Sequence, residues 1–111
     1  MIPESSLLDE PFTLAPEQLD FYRTYQFIQL KSILDAATVR YFNDLVSARV
    51  LALTENSPPL EARDTYGQAV IQLTNLWQLD AAIRPLVFSR RLADIATQLM
   101  EVNGVRLYHD Q

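Results

Sequence analysis

The chain has a single histidine, His109, and it stands directly before Asp110. An imidazole beside a carboxylate is the pairing from which metal centres and proton relays are built. A facial metal triad, however, takes two imidazoles and one carboxylate, and no second His exists here. On an extended segment neighbouring side chains point to opposite faces. Val105, Leu107, His109 and Gln111 would share one face, with Arg106, Tyr108 and Asp110 on the other, so His109 and Asp110 would not grip one ion together. Nucleophilic catalysis fares no better, because nothing in the sequence brings a serine to His109. Two glycines cannot build a phosphate-cradling loop, and the acids are too scattered for paired-carboxylate chemistry. No catalytic residue and no metal ligand is assigned to this chain.

Two further groups could do binding chemistry. Asn75 and Trp77 set an amide beside a large aromatic, a pair suited to the wall of a substrate channel. Their structural alternative is a Trp that anchors helices to a sheet and an Asn that makes a turn bond. Arg84, Arg90 and Arg91 form the only basic cluster, and guanidinium forks match phosphate oxygens. Equally, the three would form a solvated face or pair with Asp80 and Asp94.

The elements that hold these residues follow from period and punctuation. Ala69, Ile71 and Leu73 alternate with Val70, Gln72 and Thr74, which predicts a short strand. Asp80 would cap a short helix carrying Ile83, Leu86 and Val87. Ser89 would cap another, with Leu92, Ile95, Ala96, Leu99 and Met100 at helical spacing. Asn103-Gly104 is expected to stop that helix, and Val105 to Gln111 reads as a second strand. Upstream, Pro16 suits the first turn of a helix over Glu17 to Gln26, with Ala15 at the cap position. Phe27 to Leu30 is a four-residue strand candidate. Asp35 would cap the longest helix, whose Val39, Phe42, Val46, Val50 and Leu53 make one apolar stripe, read as a layer on a sheet. Pro58-Pro59 marks residues 55–64 as a loop. Residues 1–13 are polar, without period, and are expected to form a flexible arm.

With 111 residues, 49% of them hydrophobic, the sequence supports one small unit with a core. No cysteine is present, which removes disulfides and thiolate metal sites. The net charge of −5 argues against nucleic acid, which wants the opposite sign. No apolar run approaches a membrane span, and the first residues lack a basic leader and apolar core, so a cytoplasmic protein is expected.

Gln72, Asn75-Leu76-Trp77, the segment RPLVFSRR from Arg84 to Arg91, and above all GVRLYHDQ at 104–111 resemble the phytanoyl-CoA dioxygenase family. The likeness is to that family's N-terminal portion and reaches back, more faintly, to Leu14. It implies an α+β fold: a helical layer with the first strands of a jelly-roll, cupin-like double-stranded β-helix, the barrel incomplete, spanning residues 14–111. It implies an Fe(II)- and 2-oxoglutarate-dependent dioxygenase that hydroxylates an aliphatic carbon of a small-molecule substrate. The family holds iron with His-x-Asp/Glu and a distant His. Here position 111 is Gln, so the resemblance places the iron ligands, and a lysine near the oxoglutarate, beyond Gln111. It gives His109 and Gln111 a place in the cosubstrate pocket; otherwise both are hydrogen-bonded structural polars. Neither Fe(II) nor 2-oxoglutarate is expected to bind this chain alone. Self-association, or pairing with a missing C-terminal half, is expected instead. The competing expectation is a non-catalytic α+β binding module.

Overall fold

A proline has no N–H to leave unsatisfied, and Pro16 opens the first helix of the computed structural model, which describes residues 1–4 and 6–111. This helix, α1, runs Pro16–Tyr25. Ala15 offers no side-chain cap, but Gln18 Oε1 turns back to accept the Ala15 N–H at 2.8 Å. Helix α1 ends at Gln26, which takes a left-handed conformation (φ 61°, ψ 20°) and donates its N–H to Tyr22 O. Here a residue with a Cβ adopts glycine's geometry, at a cost of roughly 1 kcal/mol.

Helix α2 spans Ala36–Thr54 and begins as its sequence dictates. Asp35 Oδ1 accepts the Thr38 N–H at 2.8 Å, and Oδ2 accepts the Thr38 hydroxyl at 2.6 Å. These bonds, the hydroxyl first, hold the Asp35 carboxyl below the usual aspartate value. Of the expected stripe only Phe42 is fully buried; Val39 and Leu53 face solvent. After Pro58-Pro59 comes a single 3-10 turn at Leu60–Ala62, then the short α3, Thr65–Ala69. Asp64 caps α3 through Gly67 N–H at 2.6 Å. A Cβ on Gly67 would stand 2.9 Å from that carboxylate oxygen, so any other residue there would push the cap outward.

Helices α4 (Leu76–Leu79) and α5 (Arg84–Val87) are each one turn long, and α6 runs Arg90–Met100. Ser89 caps α6 as expected, accepting the Leu92 N–H at 3.2 Å. The expected stop at Gly104 is not where α6 ends. Glu101 takes the left-handed position (φ 55°), and no glycine has positive φ. The Glu101 carboxylate pairs with Arg23 of α1, and the guanidinium draws it below the usual range.

The α+β expectation is overturned: the described residues are helical or irregular, with no β-strand and no sheet. Three expected strands fail for physical reasons. Asp64 starts a helix that consumes Ala69, so the alternation at 69–74 loses its first member to α3. Phe27 to Leu30 and Val105 to Gln111 lack a ladder among the described residues, and an unpaired segment is not a strand. One main-chain bond reaches the 105–111 segment from Asn75, just past the 69–74 stretch, with Asn75 N–H donating to Asp110 O at 3.0 Å. The jelly-roll beginnings are therefore absent here, and α2 has no sheet to cover.

Helix α6 is the organising element instead. Residues 7–14 run along it, held by its side chains. Ser89 Oγ donates to Leu8 O at 2.6 Å, and Arg91 N–H donates to the same oxygen at 2.9 Å. Asp94 accepts Phe12 N–H, while Gln98 both accepts from Leu14 N–H and donates to Phe12 O. The Arg91 guanidinium donates to Ile33 O, Glu10 O and Pro11 O, and stacks over the Phe12 ring. Leu8, Leu14 and Ile95 are buried beside this clasp. Within the arm expected at 1–13, Ser5 lies outside the described residues. The radius of gyration, 16.9 Å, exceeds the roughly 13 Å of a compact chain this long, consistent with a small core.

Candidate functional site

The two stretches most suggestive of chemistry meet. A one-turn helix cannot satisfy its own first N–H groups, and for α4 the acceptor is the remote Asp110. Its Oδ1 accepts Leu76 N–H at 2.8 Å, and its Oδ2 lies 3.4 Å from Trp77 N. Asn75, just before α4, adopts a left-handed φ of 56°, which Asn tolerates better than most residues. Its N–H reaches Asp110 O. A carboxylate is thus spent as a helix cap, supplied from 33 residues away.

Next to this junction lies a file of polar side chains. Tyr66 OH donates to Gln72 Oε1 at 2.6 Å, and Gln72 Nε2 donates to Gln111 Oε1 at 2.9 Å. His109 Nε2 stands 3.4 Å from that same Gln111 oxygen, and the His109 ring packs on Tyr108 with centroids 4.6 Å apart. Two open depressions flank the file. One, of about 390 Å³, is lined by Gln72, Thr74, Asn75, Tyr108 and His109. The other, of about 310 Å³, is lined by Tyr66, Val70, Ile71, Leu73 and Gln111 along with Gln72. So the structure brings His109, Gln111 and Asn75 to one place, where they can donate and accept hydrogen bonds.

Trp77 is set apart from the depressions. Its ring meets Phe88 edge-on at 5.0 Å, and the Arg84 guanidinium sits over both rings, at 5.1 and 4.5 Å. There is no sheet for Trp77 to anchor; it packs against the α5–α6 junction. Its indole Nε1 is shielded without a hydrogen-bond partner among the described residues. The basic cluster is dispersed. Arg91 is buried in the clasp, Arg90 lines a cleft with Asp9 and Asp94, and Arg84 is stacked on aromatics. None of the three makes an ion pair with Asp80 or Asp94 among the described residues; those acids accept Ala82 N–H and Phe12 N–H instead.

Among the described residues no group of three His, Cys, Asp or Glu side chains gathers as a metal site. The iron of the resembled family therefore does not fit the donors present: one imidazole, with its neighbouring carboxylate engaged by α4. Sequence reasoning missed Tyr66 as a member of the file and Asp110 as a cap. Local capping rules look one residue upstream, and no periodic signal points to an acid so distant. No helix among the described residues is long and apolar enough to cross a membrane. Compared with protein-family models, curated proteins and solved structures, the chain matches none.

Proposed function

We propose that this chain is the helical N-terminal portion of a phytanoyl-CoA dioxygenase-like, Fe(II)- and 2-oxoglutarate-dependent enzyme. On this reading the whole enzyme hydroxylates an aliphatic carbon of a small-molecule substrate in the cytoplasm. The observation that supports it is the junction at Asp110. The Asn75-Leu76-Trp77 and 104–111 stretches, which carry the resemblance, are bonded to one another, and Gln72, His109 and Gln111 are gathered with them. The contribution of this portion is positional: amide and imidazole groups at the rim of the site, held by the capped α4. Because the donors here do not fit iron, its ligands and the cation for the oxoglutarate carboxylate belong to sequence beyond Gln111.

A second reading, a non-catalytic helical binding module, draws support from the exposed aromatics Phe21, Tyr25 and Phe27, whose rings cluster at 4.7–6.4 Å. Translating the locus past codon 111 separates the two. The expected result is a downstream His-x-Asp or His-x-Glu, and an extended protein that decarboxylates 2-oxoglutarate. The 111-residue chain should neither consume 2-oxoglutarate nor bind Mn(II) stoichiometrically in calorimetry. A frame without that motif would leave the binding module. Stoichiometric Mn(II) binding abolished by His109→Ala would overturn the placement of the ligands outside this chain.

A further inference from the structure

Helix α6 has a second face that the clasp does not use. Between it and residues 105–107 runs an open groove of about 360 Å³, with Phe88, Leu92, Ala96, Met100, Val105 and Leu107 along its walls. Met100 is 60% exposed, Phe88 43% and Leu107 39%, so apolar surface is presented to water along the groove's length. Such a continuous strip, rather than scattered apolar residues, marks a place of association.

The charge around the groove narrows the occupant. The chain as a whole is acidic, at −5, yet no acidic residue lines this groove, and its one charged lining residue is Arg106. A second cation stands at the Phe88 end. Arg84 lies over the Phe88 ring at 4.5 Å and makes no ion pair among the described residues. Flanked by Trp77 as well, that guanidinium is held in place while its N–H groups stay free for an anion.

We infer that the α6 groove docks an amphipathic peptide segment of a partner protein, with apolar side chains in the groove and carboxylates on Arg84 and Arg106. Groove and cations together match a helix with leucine-like anchors on one stripe and Asp or Glu beside it. A groove-to-groove pair of two copies is disfavoured, since it would bring the same arginines together from both sides. The inference draws on neither His109 nor Gln111, which do not line this groove.

The test is calorimetric titration of the 111-residue chain with two synthetic peptides of equal helical propensity. One carries leucine and glutamate at helical spacing, the other leucine and lysine. Saturable binding of the Leu/Glu peptide alone is expected, weakened about tenfold in the double variant Arg84→Gln/Arg106→Gln and by added salt. Met100→Glu should abolish it, and because Met100 is exposed the variant should keep the parent's circular dichroism. Equal binding of both peptides, binding of neither, or binding indifferent to Met100→Glu would each overturn the inference.

Discussion

Replacing Arg91 with methionine should remove the clasp while keeping the apolar volume of the side chain. In the native chain the guanidinium serves Ile33 O through Nε, and Glu10 O and Pro11 O through one shared nitrogen at 3.2 and 3.0 Å. That makes about two effective charge-assisted bonds. At ~1.5–3 kcal/mol each, less what water restores to the released carbonyls, the loss is about 3–4 kcal/mol. Against a total of roughly 5–15 kcal/mol for a domain this size, such a loss is large. With a urea slope near 2 kcal/mol/M, the unfolding midpoint should fall by about 1.5–2 M. Arg91→Lys, which restores a point charge but not the fork, should lose about half as much. Hydrogen exchange reports the same device locally. The Phe12 and Leu14 amides, bonded to Asp94 and Gln98, should be protected in the parent and exchange freely in Arg91→Met. A midpoint shift under about 0.5 M, or unprotected Phe12 and Leu14 amides in the parent, would refute the reasoning.

Two more outcomes are expected. Asp35 has a folded-state carboxyl below its ordinary value near 3.8, chiefly through the Thr38 hydroxyl and N–H, with Leu7 N–H assisting. A depressed carboxyl stabilises the fold above the unfolded value and loses that contribution as pH falls through the folded one. Melting temperature should therefore drop below about pH 4, and Asp35→Asn should flatten that limb; an unchanged acid limb would count against it. Asp110→Ala should leave α4 uncapped, at about 1 kcal/mol, and diminish the near-ultraviolet dichroism of Trp77. An unaltered Trp77 signal would mean that the cap does not position the helix.

Elements with a local cause were legible in the sequence. Pro16, Asp35 and Ser89 each open a helix near the expected place, and Pro58-Pro59 does interrupt the chain. The strands were misread because alternation over six or seven residues describes only a backbone's exposure, while a strand needs a neighbour to bond. Val105 to Gln111 shows no alternation of burial and forms no ladder; one main-chain bond and the side chains of an aspartate and a glutamine tie it to the rest. The stop of α6 at Glu101 was hidden for a different reason. An ion pair with Arg23 of another helix accompanies a conformation that composition assigns to Gly104. The candidate residues Asn75, His109 and Gln111 were found by type; their partners Asp110 and Tyr66 were not, since both act across the fold.

The clasp also imposes an order on synthesis. Residues 8–14 leave the ribosome before α6 does, and their bonding partners there are encoded 80 to 86 positions later. At roughly 5–20 residues per second, the wait is about 4–17 s. Through that interval Leu8 and Leu14, buried in the finished molecule, have nothing to dock against, and the carbonyls destined for Arg91 are bonded only to water. Residues 8–14 are thus made well before they settle, which leaves them open to chaperones and proteases until α6 emerges.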